Sequence, residues 1–242
     1  MGNRVEPEKL RHLLDVALVV LSGAGISAES GLVTFRDADG LWENYSVEDV
    51  ATAAGWVRNP ALVQEFYNKR RKQALDAQPN VGHRALVALE EKYDVTIITQ
   101  NVDNLHEKAG SSKVVHLHGE LSKMRSSGGA SRVYDIGGDE IQMGDLCEEG
   151  HQLRPHIVWF GEEVPMMEVA FDITQEADIF IVVGTSLAVY PAAGLAYAVP
   201  NGVPIFVVDP NTPDMRNTPN VTVMAEPATT GLTKLTEQLL SL

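Results

Sequence analysis

Residues 17–31 read ALVVLSGAGISAESG: five apolar residues, 17–21, followed by the glycine turn Gly23-Ala24-Gly25. A short apolar run without alternation suits a strand covered on both faces. Glycines directly after such a strand let the backbone approach a phosphate, whose charge is met by amide N–H groups and a helix start. The spacing is not GxGxxG, because the third glycine, Gly31, arrives late. Taken alone, the loop is equally a plain strand-to-helix turn.

Working outward, similar β-branched runs recur at residues 95–99 (VTIIT), 113–117, 179–183 (IFIVV), 203–208 (VPIFVV) and 221–224. Helical stretches lie between them at 7–15, 60–77, 82–92, 165–177, 191–199 and 229–240. Several open on proline, whose missing N–H costs nothing at a first helical position. The alternation predicts an α/β fold, a doubly wound, parallel Rossmann-like sheet that takes its ligand beyond the carboxyl ends of the strands. Two stretches break the pattern within what reads as one catalytic domain over 1–242. Residues 40–78 read as a helical insertion, and the glycine- and serine-rich residues 123–156 as a small irregular module.

The 242 residues are 44% hydrophobic and 21% charged, enough apolar material for a sizeable core. Lys and Arg number 19 against 33 Asp and Glu, a formal charge of −14. That surface repels phosphates, so neither nucleic acid nor an anionic membrane is an expected partner, and a basic, lysine-rich peptide is attracted. The single cysteine, Cys147, excludes an intramolecular disulfide and a four-cysteine zinc site. No run approaches the ~18 apolar residues of a membrane span, and MGNRVEPEKL has no signal-peptide core, so the expected location is the cytoplasm.

Residues 23–42, GAGISAESGLVTFRDADGLW, closely resemble the NAD-binding loop of the sirtuins, the NAD-dependent protein-lysine deacylases. Further similar blocks follow in the family's order: Gln100-Asn101-Val102-Asp103, His116-Leu117-His118-Gly119, residues 154–162 (RPHIVWFGE), Gly184-Thr185-Ser186 and Asp209-Pro210-Asn211. The resemblance covers nearly the whole chain. It implies NAD as a consumed co-substrate, held by Gly23, Ala24, Gly25, Ser27, Ala28, Thr34, Phe35, Arg36, Trp42, Gln100, Asn101, Asp103, Gly184, Thr185, Ser186, Asn211 and Ala228. Within that set, Asn101 and Asp103 would hold nicotinamide, Gln100 a ribose hydroxyl, Phe35 the reactive sugar carbon and Asn211 the adenosine ribose. The residues alone leave Asp103 equally able to cap a helix over 105–109. By resemblance His118 is the catalytic base, and its ordinary pKa near ~6.5 suits that work. His116, two residues earlier, reads as its decoy on the same strand face. The implied chemistry begins with attack of the acyl-lysine oxygen on the nicotinamide ribose and ends in free lysine and O-acyl-ADP-ribose. Val158 to Phe160 would pair with the substrate backbone as an added strand.

Two departures from the family carry information. Many sirtuins hold zinc with two cysteine pairs; here Met124-Arg125-Ser126-Ser127 occupies the first and only Cys147 remains of the second. No metal is therefore expected, and the module must hold itself by contacts such as Arg125, Arg132 or Arg154 with nearby carboxylates. In the helix from Pro60, residues Val63, Phe66, Tyr67, Arg70 and Ala74 fall within an arc of about 100°, so Arg70 lies inside an apolar stripe. Either its stem covers core while its head snorkels, or it is a pocket cation with the Tyr67 hydroxyl one turn away. Tyr-x-x-Arg here resembles class III sirtuins, which remove succinyl and malonyl groups, and a guanidinium grips a carboxylate bidentately. Lys69, Arg71 and Lys72 are expected on the solvated face. The competing functions are a general deacetylase, a mono-ADP-ribosyltransferase or NAD glycohydrolase on the same fold, an NAD-sensing module without activity, and a dehydrogenase, which the missing GxGxxG disfavours.

Overall fold

The computed structural model describes residues 15–33, 41–42, 45–129, 132–213, 215, 218 and 220–242, with the side chains of 41 and 42 excepted. The expected helix over 7–15 falls almost wholly outside them, as do Thr34, Phe35 and Arg36. Trp42 is described only as backbone.

All six expected strands are present. They are β1 (Ala17–Ser22), β4 (Asp94–Thr99), β5 (Val114–His116), β9 (Ile179–Val183), β10 (Ile205–Val208) and β11 (Val221–Met224). They form one parallel sheet in the order β11-β10-β9-β1-β4-β5. The period-2 alternation of each strand divides the core into two layers. Leu18, Val20, Ile97, Ile181, Val183 and Val208 face one side, where they meet Leu86 and Leu89 of α5 (Val81–Leu89) and Leu232, Leu235 and Leu239 of α9 (Ala228–Ser241). Val19, Leu21, Ile98, Phe180, Val182 and Val207 face the other, against Ala170 of α7 (Met167–Gln175) and Leu195 and Ala196 of α8 (Leu195–Ala198). With both faces covered, the continuous apolar runs are accounted for.

The expected insertion is a two-residue ribbon, β2 (Leu41–Trp42) with β3 (Tyr45–Ser46), followed by α2 (Val47–Val50), α3 (Ala53–Arg58) and α4 (Pro60–Asp76). Asn59 caps α4 through Leu62 N–H at 3.2 Å, with Pro60 at its first position. Asn80 closes a capping box on α5 and also donates to Ile26 O at 2.8 Å, tying that helix to the loop after β1.

The irregular module is more ordered than its composition suggests. It is built on an antiparallel sheet, β7 (Val133–Asp135), β6 (Gly119–Ser126) and β8 (Leu153–Ile157), so its ordered part starts before residue 123. Its register breaks between Glu120 and Met124, which hides the strand period in the sequence. No helix among the described residues is long and apolar enough to cross a membrane.

Candidate active site

The chain turns from β1 toward β4 on one side and from β9 toward β10 on the other, so the sheet's switch point lies at the carboxyl ends of β1 and β9. The turn after β1 enters α1 (Ala24–Ala28) here and presses against the turn after β9. Gly23 N–H donates to Val183 O at 3.0 Å, and Gly25 N–H to Gly184 O at 2.8 Å. A Cβ on Gly25 would stand 2.7 Å from Gly184 Cα, and one on Gly23 would stand 2.7 Å from Thr185 Cβ. Gly184 has φ +63°, in the left-handed region. The glycines thus let two loops close on each other, which neither the phosphate reading nor the plain-turn reading of the sequence includes. Gln100 Nε2 donates to Thr185 Oγ1 at 3.1 Å across the same point. Ser186 is half-buried, Ala28 and Asn211 are exposed, and Ala228 is buried at the start of α9.

Beside this closure lies a buried polar cluster. Asn101 Nδ2 donates to Gly23 O at 3.1 Å and to Ser27 Oγ at 3.2 Å, while its N–H donates to Thr99 Oγ1 at 3.1 Å. Having accepted from Asn101, the Ser27 hydroxyl is left to donate to the Asp103 carboxylate. Asp103 also accepts Leu105 N–H at 3.1 Å, so it does cap α6 (Leu105–Ala109), as the residues alone allowed. Burial pushes the Asp103 pKa up, and the Leu105 and Ser27 bonds with the charges of His116 and Arg70 pull partly against it.

His118 follows β5 and precedes β6. Its Nδ1 lies 3.0 Å from Gln100 O, and a carbonyl only accepts, so Nδ1 carries the proton and Nε2 holds the lone pair. Burial depresses the His118 pKa below the ordinary value, partly offset by that bond, so the ring is neutral at pH 7 and able to accept a proton. His116 ends β5, and the chain bends before β6 begins at Gly119. The two histidines therefore do not share one strand face, but both rings reach the 100–101 loop. His116 Nδ1 lies 3.1 Å from Asn101 O and its Nε2 2.7 Å from Glu107 Oε1.

Helix α4 presents its apolar stripe to the module. Val63, Phe66, Tyr67 and Ala74 cluster with Leu121, Ile157 and Trp159. Arg70 is only 8% exposed, with its guanidinium carbon 6.0 Å from the Phe66 ring centroid, and its charge reaches Asp103 and Tyr67. It is not a snorkelling side chain. Tyr67 is fully buried with its hydroxyl toward Trp159, Arg70 and Arg154, and burial raises its pKa.

Arg71 corrects the sequence reading. Expected on the solvated face, it is 1% exposed. Its Nε donates to Leu121 O at 2.5 Å and its Nη1 to Asn68 Oδ1 at 2.7 Å. Asn68 in turn donates to Ile141 O and accepts Ile141 N–H, both at 3.0 Å, and Gln64 Nε2 donates to Leu153 O at 2.7 Å. Gln64, Asn68 and Arg71 recur at helical spacing, so α4 has a second, polar face sewn to the module backbone, which apolar periodicity alone does not reveal. Lys69 and Lys72 are exposed as expected, and Lys69 forms an ion pair with Glu65 at 2.5 Å.

The module's arginines do pair. Glu162 accepts from Arg154 Nη1 at 2.8 Å, Arg125 Nη2 at 3.1 Å and Trp159 N–H at 2.8 Å, while Arg154 stacks 3.3 Å from the Trp159 ring centroid. Arg132 meets Glu148 at 3.4 Å. This network fixes the 158–160 segment. Val158 N–H donates to His118 O and Phe160 N–H to Ala51 O, both at 2.9 Å. With Trp159 N–H on Glu162, all three amides of the segment are engaged within the chain, so none is free to pair with the added strand that the sequence led us to expect, and the Phe160 ring is exposed. Cys147 Sγ sits 3.4 Å from Ser126 Oγ. Among the described residues no three His, Cys, Asp or Glu side chains come together to hold a metal ion.

A doubly wound parallel sheet, closed by glycines at its switch point and flanked by a buried amide–carboxylate cluster and a tautomer-fixed histidine, defines a nucleotide-dependent enzyme of the Rossmann-like class. The chain belongs to the Sir2 family, whose profile matches residues 23–191. It is 52% identical over 228 residues to an NAD-dependent protein deacylase of Bacteroides thetaiotaomicron, covering 92% of this chain and 97% of that protein. A Helicobacter pylori protein of the same name is 48% identical over 225 residues, covering 93% and 98%. A Sir2 homologue solved with NAD superimposes with TM-score 0.84 at 34% identity, over 99% of this chain and 96% of that one. A Sir2 variant solved with a deacetylated p53 peptide and 3′-O-acetyl-ADP-ribose superimposes with TM-score 0.79 at 28% identity, over 97% and 98%.

Proposed function

We propose that this Sir2-family NAD-dependent deacylase removes acidic acyl groups, succinyl and malonyl, from protein lysines in preference to acetyl, with His118 as its base and no zinc in its module. The observation that carries the acyl preference is the burial of Arg70 within the α4 stripe, beside Tyr67 and Asp103. A guanidinium held at this depth can pair bidentately with the carboxylate of a succinyl or malonyl group, whereas an acetyl group offers it no anion.

The residues fit NAD. The crevice lies at the switch point, and Asn101 has its N–H, carbonyl and Nδ2 all engaged, which leaves Oδ1 to accept from a carboxamide. When bound, NAD supplies an electrophilic ribose carbon with nicotinamide as leaving group. On this reading Asn101 and Asp103 orient the nicotinamide end, Gln100 faces the ribose, and His118 Nε2 takes a proton from a sugar hydroxyl. Val158 and Phe160 border the acyl-lysine, and Arg70 with Tyr67 receives the distal carboxylate. The pairing that fixes the 158–160 segment explains how the module keeps its shape through Arg125, Arg154 and Glu162. The test is kcat/KM on matched succinyl-, malonyl- and acetyl-lysine peptides with NAD. Higher efficiency on the acidic peptides supports the assignment, and higher efficiency on acetyl makes the protein a general deacetylase.

A further inference from the structure

His116 and His118 hold neighbouring carbonyls of one loop, yet only His118 keeps a nitrogen for chemistry. His116 has Nδ1 3.1 Å from Asn101 O and Nε2 2.7 Å from Glu107 Oε1. A carbonyl and a carboxylate accept and never donate. Each ring nitrogen thus faces an acceptor, and both bonds exist together only when both nitrogens carry protons. Glu107 is not the proton's holder. Burial alone would raise its pKa, but the His116 bond and charge outweigh it and hold the carboxyl below its ordinary range, with the side chain 40% exposed.

We propose that His116 is an imidazolium at neutral pH and acts as a positioning residue for the nicotinamide side of the site. It does so in two ways. Its Nδ1–H fixes the Asn101 peptide, completing the set of bonds that leaves Asn101 Oδ1 as the available acceptor. Its charge also favours the ionised form of Asp103, against the burial that raises that carboxyl. The groups facing His116 are consistent with a retained proton. Glu107 comes from α6, Glu120 from β6 (itself paired with Lys123 at 2.7 Å), and Asp103 from the loop. His106 of α6, which interacts with His116 by charge, is kept neutral by burial. Burial of His116 itself opposes its charge, and the Glu107 bond with the Glu107 and Glu120 charges outweighs it.

This inference rests on Asn101 and Asp103 serving NAD, and it is independent of acyl preference. The direct test is the two-bond 1H–15N correlation of 15N-histidine-labelled protein without ligand at pH 7.5, with His116→Asn for assignment. Both His116 nitrogens should show imidazolium shifts, while His118 shows one protonated and one bare nitrogen. A neutral His116 overturns the proposal whatever the substrate proves to be. The second test is Glu107→Gln, whose amide can donate to a bare His116 Nε2 while Nδ1–H stays on Asn101, so the bonds survive and the charge is lost. KM for NAD should rise about tenfold. The acid limb of kcat/KM for NAD should move to higher pH, with equal proportional losses on acetyl and succinyl peptides. An unchanged KM and acid limb, or a loss confined to succinyl peptides, refutes the positioning role.

Discussion

Replacing Arg70 by methionine deletes a buried cation while keeping length and apolar packing. In the wild type the side chain is 8% exposed and lies 6.0 Å from the Phe66 ring centroid, so its charge is little screened by solvent. A charge-assisted bond in such a site contributes about 1.5–3 kcal/mol. At ~1.4 kcal/mol per decade, that is roughly a 10- to 150-fold loss of kcat/KM on a succinyl peptide. An acetyl group has no carboxylate, so its efficiency should change by less than about threefold. Arg70 also acts by charge on Asp103 and Tyr67, and removing one member of a buried charge pair is destabilising, so the variant should melt lower than wild type, and the kinetics are read well below its Tm. Tyr67→Phe removes only a hydroxyl and should show the same bias more weakly. The assay is parallel kcat/KM on two peptides that differ only in the acyl group. Equal losses on both would show that Arg70 is structural and refute the pocket reasoning.

His118→Tyr should lower acyl-lysine turnover by about 10²–10⁴-fold with NAD binding retained by calorimetry, whereas His116→Tyr leaves more turnover. Asn68→Ala should cost about 1–3 kcal/mol by leaving the Ile141 amide without its partner and Arg71 Nη1 with only the longer bond to Asp139 O, read as a Tm lower by several degrees and faster amide exchange at Ile141. For Glu162, burial would raise the carboxyl, but Arg154, the Trp159 amide and Arg125 hold it below its ordinary range. A depressed carboxyl contributes stability above its unfolded pKa and loses it as pH falls through the folded one. Glu162→Gln should therefore melt lower than wild type at pH 7, with the gap narrowing toward pH 3.

The sheet was legible because its inner strands are buried on two faces and so need no alternation to announce themselves; β9 has the bounds expected from the sequence, and so does the more exposed edge strand β11. The small antiparallel sheet was not, since Lys123, Arg125, Arg154 and His156 interrupt its apolar residues and its register slips after Glu120. Arg154 is buried only because Glu162 and Trp159 meet it from outside its own strand, and strand periodicity carries no such signal. Arg71 was misplaced for a related reason. A helix packed against two bodies has two buried faces, and the second one, Gln64-Asn68-Arg71, is polar. At the site, the motif blocks located Gln100, Asn101, Asp103 and His118 at one end of the sheet. The clamp of His116 on Asn101 depends on a bend at Leu117–His118 that local sequence does not encode.

The activity proposed for this protein is NAD-dependent removal of an acyl group from lysine, acidic groups before acetyl. Mass spectrometry of succinyl-, malonyl- and acetyl-lysine peptides incubated with the protein and NAD tests it most directly. The expected products are free lysine peptide and O-acyl-ADP-ribose, formed one for one with released nicotinamide and faster from the acidic peptides. Nicotinamide released while the peptides keep their acyl mass, or peptides that gain ADP-ribose, would contradict it.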